Sequence, residues 1–264
     1  MVMEDLKKIK EVAEAAAREA GRYALSRMRG DKQISHKSGF NDLVTDVDRK
    51  CEKIVLDNIK EFFPGHSILA EESGREDRTE NYTWIVDPID GTTNFAHGFP
   101  VYCTSVGVYA GGKPAVAAVY DPNRDELFSA AGGEGAFLNG ERMSVSRAKE
   151  LKSSLFATGF AYNIDRKIKN LEYFKVMLAE TQAVRRPGAA ALDLCYVACG
   201  RLDGFWEMDL HPWDTAAGFL LVMEAGGRVT SITGEGYDIR SGSVLATNGL
   251  IHDEAVRILG GANV

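Results

Sequence analysis

The sequence predicts a layered α/β or α+β fold, and two observations predict it. Segments in which apolar residues recur at helical spacing alternate along the chain with short apolar runs typical of strands. This mixture is typical of proteins in which helices and sheets pack as layers. The chain has 264 residues, of which 45% are hydrophobic and 26% charged. It can therefore bury a large core, and we expect one domain, 1–264, made of two close-packed halves of approximately 1–150 and 151–264.

The first part of the chain is predicted to form a helix, a loop and a second helix. Residues 4–29 carry small and apolar side chains along one stripe. Residues 31–44 are polar with a central glycine, which indicates an exposed, mobile loop. Thr45 is the expected N-cap of the second helix, because Asp48 stands three residues later in the position of a capping box. Apolar residues at helical spacing continue this helix up to Pro64.

The rest of the first half is predicted to form strands. Short apolar runs end at polar residues, and two longer runs are interrupted by glycines or by Asn-Gly, which are hairpin signals. The expected strands and hairpins are 67–70, 84–86, 101–120 with a turn at Gly111-Gly112, and 127–143 with turns around glycines and Asn139-Gly140.

In the second half, predicted strands and helices alternate more regularly, with no internal repeat and no long linker. The expected strands are 154–158, 183–185, 202–207, 228–231 and 244–246. The expected helices are 166–181, 189–199, 213–225 and 252–259.

Charge and hydropathy exclude several classes of function. The net charge of −7 argues against a general nucleic-acid-binding surface, and no apolar run approaches the ~20 residues of a membrane span. The first thirty residues lack the apolar centre of a signal peptide. We therefore expect a cytoplasmic protein that binds neither membranes nor nucleic acid directly.

Cysteine and histidine spacing does not predict a zinc site. The four cysteines lack the pairing of zinc ligands, and Cys195 and Cys199 lie in an apolar segment where we expect inert core thiols. The five histidines form no His-Glu-x-x-His pattern. Zinc-dependent hydrolysis is therefore disfavoured.

One segment, 84–95, carries the strongest functional signal. It reads Trp-Ile-Val-Asp-Pro-Ile-Asp-Gly-Thr-Thr-Asn-Phe, so an apolar run ends at Asp87 and Asp90. Two crowded carboxylates repel each other and need a shared proton or bound cations, and the backbone N–H groups of the helix start that follows favour an anion. Hard divalent cations beside an anion pocket are what phosphate-ester hydrolysis requires. The same residues are also typical of a turn, since Asp, Pro and Gly each favour turns.

Further acids stand at the ends of apolar runs or at helix starts, where an α/β protein usually places a ligand. They are Asp46 and Asp48, Glu71 and Glu72, and Asp214. Because an acid in the first turn also stabilises the helix dipole, a purely structural role stays open for Asp46 and Asp48.

Together these elements resemble the inositol monophosphatase family, and the resemblance extends over nearly the whole chain. The motifs that carry it are 42–48 (Asp-Leu-Val-Thr-Asp-Val-Asp), 71–73 (Glu-Glu-Ser), 84–95, Asn139-Gly140, 188–194 (Gly-Ala-Ala-Ala-Leu-Asp-Leu), 213–217 (Trp-Asp-Thr-Ala-Ala) and 224–227 (Glu-Ala-Gly-Gly). The resemblance implies an αβαβα sandwich, commonly dimeric. It also implies Mg²⁺-dependent, lithium-sensitive hydrolysis of a phosphate monoester of a small polyol or sugar, with inositol 1-phosphate as the first candidate substrate.

By motif matching, the resemblance further implies the ligands of two to three Mg²⁺ ions per subunit. Glu71, Asp87 and the backbone carbonyl of Ile89 would hold one ion. Asp87, Asp90 and Asp214 would hold a second, and a third, weaker site would again use Glu71. Ligation by oxygen alone agrees with the preference of magnesium for hard donors.

The resemblance assigns roles in catalysis and substrate binding as well. Glu71, and Thr92 paired with Asp48, would orient and deprotonate the attacking water, and the substrate phosphate would accept hydrogen bonds from backbone N–H groups. The implied catalytic residues are Glu71, Thr92, Asp48 and Asp90. The implied substrate-binding residues are Gly91, Thr92, Asp90, Gly188, Ala189, Ala190, Glu207 and Asp214.

Some positions depart from the family pattern or leave a role open. Ala189 stands where relatives often carry Ser or Thr, and Asp209 where they commonly carry glycine. Lys37 matches a family lysine on the loop near the metals. Arg185 and Arg186 would neutralise a second phosphate or hold a dimer contact, and the sequence does not decide between these roles.

Other functions compete with inositol phosphate hydrolysis. Fructose 1,6-bisphosphate is the alternative substrate, alone or in a dual activity, while histidinol phosphate and nucleotide 3′-phosphates rank lower. Bacterial relatives that resemble segment 184–194 can associate with the transcription machinery. Because the expected metal carboxylates are all present, we expect catalysis, with regulatory binding as an additional role.

Overall fold

The structure is a computed structural model that describes residues 6–30, 32–36, 43–78, 81–161 and 163–262. Its elements in the first half are α1 (Leu6–Arg27), β1 (Ile34–His36), β2 (Leu43–Thr45), α2 (Asp46–Phe62), β3 (Ser67–Ala70), β4 (Gly74–Glu76), β5 (Tyr82–Asp90), α3 (Thr92–Ala96), β6 (Cys103–Ala110), β7 (Lys113–Asp121), β8 (Glu126–Ala131), β9 (Gly135–Leu138) and β10 (Glu141–Arg142). Those in the second half are a 3₁₀ turn (Leu151–Ser153), β11 (Leu155–Thr158), α4 (Ile164–Glu180), β12 (Ala183–Arg185), α5 (Ala190–Ala198), β13 (Gly204–Met208), α6 (Pro212–Glu224), β14 (Arg228–Thr230), β15 (Ser243–Thr247) and α7 (His252–Gly260).

The longer strands form two sheets. An eight-stranded sheet has the order β10-β9-β8-β7-β6-β5-β3-β4, and its strands pair antiparallel except that β3 runs parallel to β5. A five-stranded sheet has the order β12-β11-β13-β15-β14, in which β11 is parallel to both of its neighbours. Hairpins therefore build the first sheet, and helical crossovers build the parallel part of the second.

The helices cover these sheets as three layers, and the predicted αβαβα sandwich is confirmed. Helices α1 and α2 pack on the outer face of the large sheet, α5 and α6 lie between the two sheets, and α4 and α7 cover the far face of the small sheet. The sequence of each layer fits its surroundings. α5 and α6 are apolar on nearly all sides because sheets cover both of their faces, whereas α1 buries one stripe rich in alanine.

Strand β5 carries an irregularity at the end that holds the two aspartates of segment 84–95. Asp87 pairs with Ser105 of β6, but Asp90 pairs with Cys103, so three residue steps on β5 match two on β6. The extra residue on β5 forms a β-bulge. The strand therefore continues through this segment, and the turn that its composition also permitted does not form.

Some predicted elements are corrected by the structure. Residues 31–44 were expected to be a loop, but β1 pairs antiparallel with β2, with Ser35 opposite Val44. These strands have three residues each, too few to show a period in the sequence. Strand β4 was not predicted for the same reason. The expected lysine of this region, Lys37, lies outside the described residues.

Among the described helices, none combines the length and the apolar character that crossing a bilayer requires.

Candidate active site

A cavity of about 650 Å³ opens where the bulged end of β5 meets the starts of α3, α5 and α6. Residues from both sheets and from the helices between and outside them line it. These residues are Glu71, Asp87, Ile89, Asp90, Gly91, Thr92, Thr93, Gly159, Phe160, Ala161, Asn163, Lys167, Arg186, Gly188, Ala190, Glu207, Asp209, Leu210, His211, Trp213 and Asp214.

The bulge in β5 explains why Asp87 and Asp90 reach the same cavity. In a regular strand, residues three apart point to opposite faces of the sheet. The extra residue between Asp87 and Asp90 restores the same face for both side chains. A hydrogen bond within the bulge holds its shape, because the Ile89 N–H donates to Asp87 Oδ1 at 3.0 Å.

Burial and neighbouring carboxylates disfavour the ionised forms of Asp87 and Asp214. Burial raises the pKa of Asp87 well above its ordinary value, and the nearby Glu71, Asp90 and Asp214 raise it further. Burial, Asp90 and Glu71 likewise raise the pKa of Asp214. A cation bound in the cavity would stabilise the ionised forms of these carboxylates, because a nearby opposite charge favours ionisation.

The donor set of these acids fits a hard divalent cation. It contains oxygen atoms only, and Asp87 is 2% and Asp90 7% exposed. Glu71 and Asp87 are hydrogen-bonded to each other, an arrangement that requires a proton in the place where a cation can lie. Within the described part of the chain, no three His, Cys, Asp or Glu side chains already form a compact metal cluster. The residues therefore fit magnesium in donor chemistry and charge.

Asp90 also connects the two halves of the molecule. Its Oδ1 accepts a hydrogen bond from the Ala190 N–H at 3.2 Å, and its Oδ2 accepts one from the Ala191 N–H at 2.7 Å. Burial raises the pKa of Asp90 to about 6 although these two N–H donors lower it. Because a carboxylate offers about four lone-pair sites, Asp90 caps the start of α5 and keeps capacity for a cation.

Asp214 is positioned by the start of α6. Pro212 is the first residue of that helix, and the His211 N–H donates to Asp214 Oδ2 at 2.6 Å. This is the reciprocal half of a capping box. The His211 ring stacks on Trp213, with ring centroids 4.8 Å apart, so both flank the acid at the cavity wall.

Asp48 joins the site through a hydrogen bond and not as a lining residue. Its Oδ2 accepts hydrogen bonds from the Thr45 N–H at 2.9 Å and from the Thr45 hydroxyl. Its Oδ1 accepts one from the Thr92 hydroxyl at 3.0 Å. Burial raises the pKa of Asp48 despite these donors. The two interpretations of Asp48 are therefore compatible, since one carboxylate caps α2 and contacts a cavity residue.

Gly91 must be glycine for two independent reasons. Its φ of 93° lies in the left-handed region, which side chains disfavour. A Cβ atom added there would also lie 2.9 Å from the Val101 carbonyl oxygen and 3.3 Å from Ala189 Cβ. This conformation turns the chain from β5 into α3, whose first N–H groups have no partner within the helix.

Glu207 lies on β13 on another wall of the cavity. The Glu207 carboxylate packs directly against Gly159. A Cβ atom added to Gly159 would lie about 2.1 Å from that carboxylate, so a larger residue does not fit at position 159. Burial raises the pKa of Glu207 to about 8, and the Arg186 guanidinium opposes this increase. A protonated Glu207 can donate as well as accept a hydrogen bond.

The structure brings most of the predicted site residues together in this cavity. The predicted residues on its wall are Glu71, Asp87, Ile89, Asp90, Gly91, Thr92, Gly188, Ala190, Glu207 and Asp214. Ala189 is 1% exposed and packs behind Gly91 instead of on the wall. Asp46 is exposed and accepts a hydrogen bond from the Gln33 N–H, which fits a structural role. Asp209 is exposed at the cavity with a φ of 67°, a left-handed conformation that glycine adopts more readily than aspartate.

Several lining residues were not anticipated from the sequence. Phe160, Asn163 and Lys167 come from the loop after β11 and the start of α4, and Leu210 and His211 come from the loop before α6. None of them belongs to an acidic motif. The Asn at the start of a predicted helix was an available N-cap signal, but its proximity to the carboxylates depends on packing between distant elements.

Known proteins resemble this chain over nearly its whole length. A protein-family model described as the inositol monophosphatase family matches residues 5–261. An inositol-1-monophosphatase of Synechocystis is 46% identical over 257 residues, which are 97% of this chain and 90% of that protein. A Nus factor SuhB of Salmonella typhimurium is 42% identical over 90% of both chains. The solved inositol monophosphatase of Anabaena superposes with a TM-score of 0.88 at 43% identity, covering 97% of each chain.

Proposed function

The chain belongs to the inositol monophosphatase family and is therefore a phosphatase, and from this premise we propose that it hydrolyses inositol 1-phosphate to myo-inositol and phosphate. One observation about individual residues supports this proposal. Glu71, Asp87, Asp90 and Asp214 line one cavity, and their mutual repulsion is relieved only by protons or cations. An anionic substrate enters such a cavity when cations are bound there.

We propose Mg²⁺ as this cation, with two to three ions per subunit. Glu71, Asp87 and the Ile89 carbonyl would hold one, and Asp87, Asp90 and Asp214 a second. When bound, magnesium supplies charge neutralisation at the phosphate and makes a water molecule more acidic. The described residues provide oxygen donors without nitrogen or sulfur ligands at these positions, which favours magnesium over zinc.

The protein's own groups would position the phosphate and the attacking water. The backbone N–H groups of Gly91 and Thr92 would donate to phosphate oxygens. Glu71 and the Thr92 hydroxyl would orient the water, and Glu71 would accept its proton. Asp48 would hold the Thr92 hydroxyl in place through their 3.0 Å hydrogen bond. Positioning of this kind supplies much of the rate in phosphoryl transfer.

The rest of the substrate would lie against Gly188, Ala190 and Glu207. Small residues at the start of α5 let a polyol approach the backbone, and Glu207 would exchange hydrogen bonds with its hydroxyl groups. Trp213 and Phe160 provide apolar surface for the carbon side of the ring.

The central test measures phosphate release from inositol 1-phosphate at saturating Mg²⁺, in the wild type, Asp90→Asn and Asp214→Asn. We expect release that depends on Mg²⁺ and is inhibited by Li⁺, and a loss of about 100-fold or more in both variants, since each removes a cation ligand. Asp57→Asn is the matched control, because Asp57 is exposed and pairs with Lys53 far from the cavity. Thermal melts establish that each variant is folded. Undiminished turnover in both Asp90→Asn and Asp214→Asn would exclude this site.

We also propose a homodimer. Four large apolar side chains of α4 are between 50% and 63% exposed at helical spacing, and they are Ile164, Ile168, Leu171 and Leu178. Such a face is suited to a second copy of the chain. Light scattering of the wild type and of Ile168→Glu tests it, and a monomeric wild type contradicts it.

An additional regulatory role is favoured by one finding, the 42% identity to the Nus factor SuhB of Salmonella typhimurium. We propose that the chain also binds a protein of the transcription apparatus. Affinity capture with purified chain from lysate of its source organism tests this role, and recovery of no polymerase-associated factor contradicts it.

A further inference from the structure

Helix α2 carries two buried acids one turn apart, Asp48 and Glu52. Asp48 is fully buried and Glu52 is 4% exposed, and side chains four residues apart lie on the same side of a helix. Asp48 accepts a hydrogen bond from the Thr92 hydroxyl at 3.0 Å. Glu52 does not line the cavity, but it is bonded to another segment of the site in a similar way.

Glu52 holds the backbone that carries Glu71. Its Oε2 accepts a hydrogen bond from the Glu72 N–H at 2.8 Å, although the two residues are 20 positions apart. On the other side, the Glu71 N–H donates to the Val86 carbonyl at 3.1 Å. The backbone around Glu71 is therefore fixed by two hydrogen bonds, one to strand β5 and one to helix α2.

Resting on the proposed phosphatase function, we propose that Glu52 is a positioning residue for catalysis. Through Glu52 and Asp48, helix α2 holds Glu71 and Thr92, the two groups that orient the attacking water, at a fixed separation. Glu71 lies in the turn after β3, and Thr92 begins α3 beyond the bulge of β5. The sheet therefore connects the two groups only through a turn and a β-bulge, whereas α2 is bonded directly to both segments.

The two hydrogen bonds from α2 serve groups that lie close together. Burial raises the pKa of Asp48, and the nearby Glu71 contributes in the same direction. The Glu71 carboxyl group therefore lies near the hydrogen bond between Asp48 and Thr92. Glu71 is also hydrogen-bonded to Asp87 and lines the cavity. A displacement of the Glu71 backbone would thus move its carboxyl group relative to the Thr92 hydroxyl.

The neighbours of Glu52 on α2 show that core packing alone does not explain an acid at this position. Cys51, Val55 and Ile59 are fully buried in the core that α2 shares with α1 and the large sheet. Burying a carboxyl group in such surroundings costs free energy unless the group is hydrogen-bonded, and the Glu72 N–H supplies that bond. Two residues of the same helix are matched controls: Val55, which is buried in this core, and the exposed acid Glu61.

The first test measures phosphate release from inositol 1-phosphate at saturating Mg²⁺ in the wild type, Glu52→Ala and Glu52→Gln. We expect the kcat of Glu52→Ala to fall about 10- to 100-fold, because a small misplacement of a reacting group has effects of this size. Its KM should change less than about threefold, since the proposed phosphate contacts come from the start of α3. Glu52→Gln should retain kcat within about threefold, because its amide oxygen can accept the same hydrogen bond.

The controls separate positioning from stability. Val55→Ala removes buried methyl groups from the same helix, so it should unfold at lower urea concentration than the wild type and keep its kcat. Glu61→Ala should match the wild type in both measurements. If Glu52→Ala does not fold, Glu52→Asp takes its place. It keeps the carboxyl group but withdraws it by one methylene, and we expect its kcat to fall as well.

Hydrogen exchange of the Glu72 amide, followed by NMR, is a second readout that does not depend on activity. Because the amide loses its acceptor in Glu52→Ala, its exchange should become at least about threefold faster than in the wild type. Glu52→Gln should restore slow exchange together with kcat. Joint loss in one variant and joint recovery in the other would connect the hydrogen bond to catalysis.

Three outcomes overturn the inference. Unchanged exchange of the Glu72 amide in Glu52→Ala would mean that Glu52 does not hold this backbone. Faster exchange with an unchanged kcat would mean that Glu52 stabilises the turn and has no part in catalysis. Equal losses of kcat in Glu52→Ala and Val55→Ala would assign the effect to the packing of α2. A wild type that releases no phosphate would instead contradict the proposed function itself.

Discussion

The Thr92 hydroxyl donates to Asp48 Oδ1 at 3.0 Å, although the two residues are 44 positions apart. This bond ties the first turn of α2 to the first turn of α3, next to the cavity carboxylates. The Thr92 hydroxyl also lies 3.0 Å from the Ile89 carbonyl oxygen. A hydroxyl has one hydrogen to donate, so its position between these two acceptors controls where its own lone pairs point.

The first prediction concerns this pair. Thr92→Val keeps the shape of the side chain and removes the hydroxyl, so we expect kcat to fall about 10²- to 10⁴-fold, the usual contribution of a positioned proton-transfer group. KM should change little, because the phosphate contacts come from the backbone. Steady-state phosphate release with inositol 1-phosphate measures both constants.

Thr92→Ser is the control for this change, since it restores a hydroxyl at the same atom. It should retain most of the wild-type kcat, and urea titrations should separate any loss of stability from loss of catalysis. If Thr92→Val turns over as fast as Thr92→Ser, the Asp48–Thr92 bond has no part in catalysis.

A second prediction follows from the crowding around Gly91. Gly91→Ala combines a disfavoured positive φ with a Cβ atom 2.9 Å from the Val101 carbonyl oxygen. Strain of ~1–3 kcal/mol is typical of such a conformation, and the clash adds to it. Because the start of α3 must shift to relieve the clash, we expect kcat/KM to fall by at least about 100-fold, a loss typical of a small misplacement of a reacting group.

Gly98→Ala provides the comparison for backbone conformation alone. Gly98 has a φ of 70°, but a Cβ atom added there meets no atom within 4 Å. Both variants should lower the free energy of unfolding in urea, whereas only Gly91→Ala should lose activity. Equal activity in the two variants would show that the clash is absorbed without moving the site.

The sequence predicts the layers and most acids of the site because both depend on local patterns. Apolar periodicity identifies α2, α5 and α6, and the acids stand at the ends of apolar runs. It also predicts that Asp87 and Asp90 converge. The β-bulge that makes them converge could not be predicted, because it arises from the register between β5 and β6 and depends on residues far along the chain.

The cationic part of the cavity shows the same limit more strongly. Lys167 belongs to no motif and Arg186 only to segment 184–194, and each directly follows an exposed arginine, Arg166 or Arg185. Their convergence depends on how Asn170 anchors α4 and how Asn94 fixes the turn before α5. Such contacts between distant residues are not encoded in the period of any single segment.

The last prediction concerns stability and His252, which is remote from the cavity carboxylates. The His252 side chain is fully buried at the start of α7, with the Thr230 hydroxyl 2.9 Å from Nε2 and the Thr247 hydroxyl 2.9 Å from Nδ1. Burial lowers the pKa of His252 to about 4, and the nearby Arg228 contributes in the same direction. The folded protein therefore keeps this imidazole neutral at pH values where the unfolded chain protonates it.

The sign of the pH dependence follows from this depressed pKa. The contribution of His252 to stability is complete above the unfolded pKa of about 6.5 and decreases as the pH falls towards the folded pKa of about 4. Between pH 7 and pH 5 the loss is about 2 kcal/mol at 1.36 kcal/mol per pKa unit. His252→Gln keeps hydrogen-bonding groups but cannot titrate, so its free energy of unfolding should fall about 2 kcal/mol less than that of the wild type over this range.

Urea titrations of both proteins at pH 7 and pH 5 measure this difference. The cavity acids titrate equally in the two proteins, so subtraction isolates the histidine. The exposed His97 supplies a control, and His97→Gln should retain the pH dependence of the wild type. Parallel losses of stability in the wild type and His252→Gln would mean that the buried imidazole accepts its proton in the folded state, through the two threonine hydroxyls, as readily as in the unfolded chain.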